Sequence, residues 1–373
     1  MGILRVYLAL CVISAHVNPA LPWARHDSQQ AVEIFYIVSG FYMALVLSRR
    51  YGSVKQFYAS RFVRIFSAYW IVLFVLCLAS VVARLFFDDW LYLGALATHP
   101  LDHNGMAGFV FTLLSNLTVF GQDWVMFLQH DHGQAFGIAK DFRLNETPLY
   151  TYLILPQCWS IGVELSFYLL APYLNRLKTF DLALSVVLAL GLRILAKNYL
   201  GLSNDPWSYR FFPFELTWFL AGMLGYRLYD RFGSRFDPAR WVEGKWRYTG
   251  AAALILLALY VHARLVGRLC LALGYDRGIW LSYLFWPVAV AGLFSTFRKK
   301  SFDRFVGELS YPIYLVHVAV IAALRPLFTR FALSNEHLGK ATAAVSIALA
   351  VLLYVVCLKP IERRRHANTL KIG

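Results

Sequence analysis

The feature that most constrains this chain is a succession of apolar segments, each close to the ~20 residues that an α-helix needs to cross a bilayer. The chain has 373 residues, of which 59% are hydrophobic and only 15% are charged. That balance excludes an ordinary soluble domain. The sequence therefore predicts an all-α, polytopic membrane protein with about ten transmembrane helices, at about 3–21, 32–48, 65–87, 150–172, 181–200, 210–226, 249–270, 279–297, 309–330 and 341–358.

The basic residues indicate how these segments cross the membrane. If both termini are cytoplasmic, 23 of the 36 lysines and arginines fall in cytoplasmic segments, as the positive-inside rule expects. A further apolar run at about 105–121 carries no charge, and counting it as a crossing would invert every later loop. We therefore predict a re-entrant or interfacial helix there, within an extracytoplasmic segment at 88–148, with eleven crossings as the alternative. Residues 1–373 are predicted to form one membrane domain.

Two ionisable residues in the first segment share one helix face. Arg5 and His16 are eleven positions apart, which is about 20° past three full helical turns and about 16 Å along the axis. If Arg5 lies at one membrane surface, His16 lies near the middle of the bilayer. An ionisable side chain at that depth is costly and marks a functional site by default. The pair therefore predicts a charged group held at one surface and chemistry performed inside the membrane.

A second basic pair lies at the cytoplasmic start of the third segment. Arg61 and Arg64 are three positions apart, so both project from one helix face. Guanidinium groups bind phosphate oxygens through paired donors, so these two residues and Arg5 can form a phosphate clamp. Anchoring by positive charge at the cytoplasmic surface is the alternative, and for the pair alone it is the simpler interpretation.

The fourth segment contains a single carboxylate, Glu164, with Ser160 four residues before it on the same face. At the helical rise per residue, Glu164 is predicted about 12 Å above the cytoplasmic surface and His16 about 16–20 Å above it. These depths are close enough for the two side chains to meet as a general base and its orienting partner. An unrelated hydrogen bond between helices is the alternative.

Two further polar residues complete the predicted set. His317 shares a face of the ninth segment with Ser310 and Tyr314, at a predicted depth of about 12 Å, beside Glu164. A structural hydrogen bond explains His317 equally well. Glu33 opens the second segment near the outer mouth, where it can orient His16 or face an acceptor, although an interfacial carboxylate needs no function.

Two other classes of ligand are disfavoured. The net charge of +15 is explained by cytoplasmic loops and by anionic ligands or lipids better than by nucleic acid. Several histidines and one aspartate in the external segment match no specific metal-site spacing, so a surface loop is the better interpretation for His99, His103, His130, Asp131 and His132. We expect neither nucleic acid nor metal to bind.

Taken in order along the chain, these residues resemble the motifs of the acyltransferase-3 family of membrane O-acyltransferases. Arg5 and His16 match its opening R-x10-H, and Arg61 and Arg64 match its R-x-x-R. The other matches are the segment Ile34–Phe41, with Tyr36 in place of a second phenylalanine; Trp159, Ser160, Glu164, Phe167 and Tyr168 in W-S-x-x-x-E-x-x-F-Y; Ser310, Tyr311, Tyr314, Leu315 and His317 in S-Y-x-x-Y-L-x-H; and the closing Pro360-Ile361-Glu362.

The resemblance implies an enzyme of the bacterial inner membrane with a cytoplasmic acyl-CoA donor, usually acetyl-CoA, and a hydroxyl of an extracytoplasmic or lipid-linked glycan as acceptor. Some family members carry an additional C-terminal hydrolase-like domain. None follows here, so we expect this chain to act alone or with a separate partner. A proton-coupled transporter or flippase is the alternative, because buried His and Glu residues also mark transport paths. Binding of acyl-CoA distinguishes the two, because the acyltransferase requires it and a transporter does not.

Within the acyltransferase interpretation, each residue has an expected role. The arginines Arg5, Arg61 and Arg64 would hold the phosphates of CoA, and His16 would act as general base or acyl carrier. Glu164 would orient or stabilise His16. Hydrogen bonds to the tetrahedral oxyanion are expected from Ser160, Tyr314 and His317, and substrate contacts from Glu33, Trp159 and Tyr314.

Overall fold

The structure is a computed structural model that describes residues 1–17, 21, 26–98, 106–131, 134–139, 141, 144, 148–233, 247–273, 280, 283–298 and 300–363. Its helices are α1 (Gly2–Val17), α2 (Ser28–Arg49), α3 (Val54–Phe87), α4 (Gly94–Thr98), α5 (Met106–Thr118), α6 (Gln122–Val125), α7 (Trp159–Leu174), α8 (Thr179–Tyr199), α9 (Phe212–Phe232), α10 (Arg247–Leu273), α11 (Trp286–Phe297), α12 (Ser301–Arg330) and α13 (Asn335–Leu353). Strands β1 (Leu128–Asp131) and β2 (Gln134–Ile138) form an antiparallel hairpin.

Every segment predicted to cross the membrane contains a helix. Within the described part of the chain, five helices are long and apolar enough to span a bilayer: α2, α3, α8, α12 and the helix Asn335–Arg363 that begins as α13. Helices α1 and α5 and the helix Phe285–Phe297 are apolar but shorter. The helical membrane fold is therefore confirmed, whereas ten crossings remain a prediction.

The described part of α1 is Gly2–Val17 and includes both Arg5 and His16. One helix boundary differs from the prediction in the segment that carries Ser160 and Glu164. Helix α7 begins at Trp159 rather than near 150, after two short 3-10 turns. Pro156 explains the later start, because it lacks an amide hydrogen and disfavours helical geometry in the residue before it.

The segment 88–148 contains both a predicted and an unpredicted element. Helix α5 lies within the apolar run expected to be helical, and Asn116 fixes it to the following chain. The Asn116 amide donates to the carbonyl of Tyr152 at 2.9 Å, and its Oδ1 accepts from the N–H of Ile154 at 2.9 Å. The hairpin departs from the all-α prediction. Its strands of four and five residues are too short to show a periodic pattern.

Helices α2 and α9 pack closely at the centre of the molecule because glycine lies on both contacting faces. A Cβ on Gly40 would lie 1.9 Å from the carbonyl oxygen of Phe219, and a Cβ on Gly222 would lie 2.0 Å from that of Ile37. Small residues of this kind let two backbones approach within a membrane. The contact fixes the helix that carries Ser39 against the rest of the core.

Helices α1 and α12 run parallel and in contact, which aligns their polar residues. At one end Gly2 has no room for a Cβ, which would lie 1.8 Å from the carbonyl oxygen of Asp303. The carboxylate of Asp303 accepts from the N–H of Ile3 at 3.1 Å and so satisfies an unpaired amide at the start of α1. At the other end His16 lies beside His317.

Candidate active site

A basic cavity of about 460 Å³ lies along α2 and among the first turns of α1, α3, α7 and α12. Three carboxylates line it, from Glu164, Asp303 and Glu308. Arginines outnumber them, so the cavity has an excess of positive charge that favours an anionic ligand. These arginines are Arg5, Arg49, Arg50, Arg61, Arg64, Arg298 and Arg304.

The three arginines predicted to bind phosphate all line this cavity. Arg64 pairs with Glu308 at 2.7 Å, a partner that no sequence motif indicated. Nη2 of Arg61 donates to the Tyr51 hydroxyl at 3.4 Å, and its Nε is buried with no hydrogen-bond partner in the part of the chain that the structure describes. A half-buried guanidinium with an unused donor can bind an anion at little further cost.

At the inner end of the cavity, two hydroxyl groups form a short hydrogen-bonded chain. The hydroxyl of Tyr314 donates to the carbonyl of Gln157 at 2.5 Å and lies 2.7 Å from the Ser160 hydroxyl. Because Tyr314 has a single hydroxyl hydrogen, Ser160 is the donor in the second bond. Both side chains are buried. The pair predicted from the fourth and ninth segments is therefore assembled.

Glu164 lies in the same cavity, and two hydroxyl groups hold its carboxylate. Ser39 donates to Oε1 at 2.5 Å and Tyr168 donates to the same atom at 2.7 Å. These bonds connect the S-G-F segment of α2 with the W-S-x-x-x-E-x-x-F-Y run of α7. The expected contact between Glu164 and His16 does not form, because Glu164 lies in the second turn of α7 whereas His16 lies at the far end of α1.

His16 instead meets His317. Their ring centroids are 5.1 Å apart with the planes at 74°. Nδ1 of His16 lies 2.8 Å from the carbonyl of Val12, and Nδ1 of His317 lies 2.7 Å from that of Tyr314. A carbonyl only accepts, so both Nδ1 atoms carry the proton and both Nε2 atoms keep a lone pair.

His317 connects His16 to the basic cavity. Its ring centroid lies 5.5 Å from that of Tyr314, which lines that cavity. His317 is fully buried, and its Nε2 has no hydrogen-bond partner among the described residues. Its ring neighbours are therefore His16 and Tyr314, whereas its predicted position beside Glu164 stays a prediction.

A second cavity, of about 590 Å³, reaches His16 from the opposite side. It lies between the last turn of α1, the end of α12 and the start of α13. His16 is exposed on this side, and it does not line the basic cavity. The two cavities are thus separated by the side chains of Tyr314, His317 and His16.

A buried guanidinium stacks on the ring of Trp159, a contact that the sequence did not indicate. The guanidinium carbon of Arg210 lies 4.2 Å from the centroid of the Trp159 ring, a cation–π contact. Two bonds of 2.5 and 2.9 Å join Arg210 to the carboxylate of Asp205. The partners meet through a five-residue spacing around Pro206, which matches no motif.

Glu33 lies apart from both cavities. It has no exposed surface, its Oε1 lies 2.8 Å from Nη2 of Arg193, and it also accepts a hydrogen bond from Tyr283. Arg193 contacts the buried Glu215 as well, at 3.3 Å. A contact with His16 is not observed among the described residues, and the geometry favours a structural role for Glu33 between helices α2, α8 and α9.

One buried carboxyl outside the membrane-spanning helices packs against α7. Oδ1 of Asp123 has no hydrogen-bond partner within the described chain, and a Cβ on Gly162 would lie 2.7 Å from it. Burial raises the pKa of Asp123 to about 7, because a charged carboxylate loses its hydration there. No sequence pattern indicated this group, which follows the apolar run at about 105–121.

No group of three or more potential metal ligands is found in the described part of the chain. His99, His103 and His132 lie outside the described residues, as do the side chains of His130 and Asp131.

Comparisons with known proteins place this arrangement in a family. The profile of the acyltransferase domain family matches residues 1–359. The peptidoglycan O-acetyltransferase OatA of Listeria monocytogenes serovar 1/2a is 25% identical over 199 residues, which are 51% of this chain and 26% of that relative. The chain thus matches only about a quarter of the relative's length. No solved structure matches the chain. Because the family profile covers nearly the whole sequence, the chain belongs to the acyltransferase-3 family of membrane acyltransferases.

Proposed function

We propose that this protein transfers an acyl group, most simply acetyl, from acyl-CoA in the basic cavity to a hydroxyl of a glycan that approaches from the opposite membrane face. The observation that carries the proposal is the arrangement of His16 and His317 between two cavities, one of them lined by arginines. The named activity of the relative, peptidoglycan O-acetylation, supports acetyl as the acyl group and a glycan as the acceptor.

The basic cavity suits the donor. CoA carries a diphosphate and a 3′-phosphate, and Arg5, Arg61 and Arg64 supply the guanidinium groups that bind such oxygens. The end of α2 and the starts of α3 and α12 bring several arginines together here, and by the positive-inside rule this supports a cytoplasmic position for this face. A cytoplasmic opening gives access to the cellular pool of acyl-CoA.

The pantetheine arm would extend past Glu164 toward the inner end of the cavity. Oε1 of Glu164 is held by Ser39 and Tyr168, which fixes the carboxylate so that Oε2 can accept an amide N–H from the arm. Glu164 is then a donor-positioning residue rather than the partner of His16. The thioester would pass Ser160 and Tyr314, and rotation of the His317 side chain would open the inner end of the cavity so that the thioester carbon reaches the acceptor hydroxyl at His16.

The transfer itself requires one base and a stabilised oxyanion. Nε2 of His16 removes the proton of the acceptor hydroxyl, whose oxygen attacks the thioester carbon and forms the ester. The carbon–sulfur bond breaks, and the proton passes from His16, through Nε2 of His317, to the departing thiolate of CoA. Ser160 can rotate its O–H from Tyr314 to the oxyanion, since Tyr314 stays bonded to Gln157.

The first test measures acetyl-CoA binding and CoA release by the protein in nanodiscs. We expect Arg61→Gln/Arg64→Gln to weaken acetyl-CoA binding at least tenfold, because two charge-assisted contacts are lost. Lys55→Gln is the matched control: it removes a charge from the same helix, is exposed, and does not line the cavity. We expect it to bind normally.

His16→Ala separates binding from chemistry. We expect normal acetyl-CoA binding but CoA release reduced about 10²–10⁴-fold, the range typical of a lost general base. Absence of acetyl-CoA binding by the unaltered protein would overturn the donor assignment and favour a transporter. Full CoA release in His16→Ala would remove His16 from the reaction.

A further inference from the structure

The second cavity has a chemical character of its own. The described residues that line it include two cationic or ionisable groups, His16 and Arg325, and no carboxylate. Polar contacts are also available from Thr329 and Asn335. An environment with one fixed positive charge and no acid selects an anionic ligand over a neutral one.

The guanidinium of Arg325 is available to bind a ligand. Its side chain is exposed, and no described residue pairs with its guanidinium or accepts a hydrogen bond from it. Thr329 instead donates its hydroxyl to the backbone carbonyl of Arg325 at 3.0 Å, which leaves the five guanidinium donors available. A guanidinium presents these donors as a fork that matches carboxylate and phosphate oxygens.

Arg325 and His16 lie on different helices and face one cavity. A ligand that pairs with Arg325 therefore extends toward the imidazole of His16. His16 is reachable from this side and not from the basic cavity, so any hydroxyl that gives its proton to Nε2 must enter here.

We propose that this cavity is the acceptor site and that the acceptor is an acidic saccharide, whose carboxylate or phosphate pairs with Arg325 while a hydroxyl reaches His16. The proposal rests on the proposed acyl transfer and adds the acceptor's charge and its binding residue. The acidic group takes no part in bond making: the hydroxyl proton goes to Nε2, and the ester oxygen comes from the saccharide. Arg325 is thus a specificity-determining residue and not a catalytic one.

The test is equilibrium binding to the full chain in phosphatidylcholine nanodiscs, in which no anionic headgroup competes. The probes are a tetrasaccharide that contains glucuronic acid and the same tetrasaccharide with its carboxyl converted to a carboxamide. The variants are Arg325→Gln and, as matched control, Arg330→Gln, which removes an exposed arginine from the same helix outside the cavity. Acetyl-CoA binding is measured on the same discs.

We expect the unaltered protein to bind the acid about tenfold more tightly than the carboxamide, the difference that one charged hydrogen-bonded pair makes. Arg325→Gln should bind both probes equally, and Arg330→Gln should keep the tenfold preference. Equal binding of the two probes by the unaltered protein overturns the proposal. So does a loss of the preference for the acid that is equal in Arg325→Gln and Arg330→Gln. Normal acetyl-CoA binding alongside that result leaves the donor assignment standing, so the two failures are distinguishable.

Discussion

Two carboxylates, the half-buried Glu164 and the buried Glu33, have different chemical environments, and their substitutions should differ accordingly. Glu164 faces the basic cavity and accepts two hydroxyl hydrogen bonds on one oxygen. We expect Glu164→Gln to raise the KM for acetyl-CoA about fivefold with little change in kcat, because charge-assisted hydrogen bonds exceed neutral ones by roughly 1 kcal/mol. Steady-state CoA release in nanodiscs measures both constants.

Glu33→Gln is the contrasting change. It weakens a buried ion pair with Arg193 and faces neither cavity, so we expect a lower midpoint of thermal unfolding with an unchanged KM. Partly uncompensated buried charge typically costs a few kcal/mol. A raised KM for acetyl-CoA at unchanged thermal stability in Glu33→Gln would contradict the structural role assigned to this residue.

The buried carboxyl of Asp123 predicts a pH dependence of stability. Its pKa is raised to about 7 by burial, above the unfolded value of about 3.9. The folded state therefore binds the extra proton, and stability is lost as pH rises from about 4 to about 7, by on the order of 4 kcal/mol. We expect Asp123→Asn to be more stable than the unaltered protein at pH 8 and similar to it near pH 4.

Thermal unfolding in detergent across this pH range tests the expectation. The relevant quantity is the difference in thermal stability between Asp123→Asn and the unaltered protein at each pH, since other groups titrate in both. If the two profiles run parallel from pH 4 to pH 8, Asp123 is not the group responsible.

At the scale of elements, the contact between α2 and α9 depends on glycine. We expect Gly222→Ala to prevent normal packing, because the added Cβ would lie 2.0 Å from the carbonyl oxygen of Ile37 and overpacking in a close-packed core costs about 1–3 kcal/mol or more. Gly191→Ala, inside α8, is the matched control, since its Cβ would meet nothing within 4 Å. Alanine favours a helix over glycine by about 0.5–1 kcal/mol.

Detergent-solubilised yield and the thermal midpoint distinguish the pair. The Gly222→Ala variant should have a lower yield and a lower thermal midpoint than the unaltered protein. The Gly191→Ala variant should match or exceed the unaltered protein in both. Equal behaviour would mean that the two helices can separate without consequence for the core.

The sequence could predict those features of the helices that depend on residue spacing within a single segment. The helical period placed Arg5 and His16 on one face of α1, and an i, i+3 spacing paired Arg61 with Arg64. The relative positions of Glu164 and His16, in contrast, could not be predicted from the spacing within one segment. They depended on how α1, α7 and α12 pack against one another: His16 lies beside His317, whereas Glu164 accepts hydrogen bonds from Ser39 and Tyr168. Partners distant in sequence, such as Glu308 for Arg64 and Arg193 for Glu33, left no periodic signal at all.

At the scale of the whole molecule, the basic cavity bears on the number of crossings. The starts of α3 and α12 both line it, so they lie at the same membrane face. If α5 crossed the membrane, the alternation of later helices would put those two starts on opposite faces. The arrangement therefore favours a re-entrant or interfacial α5 over an eleventh crossing.

The same geometry predicts which ends are reachable from outside the cell. Helix α12 has 30 residues and rises about 45 Å, so Arg330 lies at the face opposite Lys55. With a membrane-impermeant maleimide, Arg330→Cys should be labelled on intact cells, and Lys55→Cys only after the membrane is opened. The native cysteines are buried or partly buried and should give a low background. Labelling of Lys55→Cys on intact cells would place the arginine cavity outside and separate it from cytoplasmic acyl-CoA, whereas the expected pattern puts donor and acceptor on opposite sides of His16 and His317.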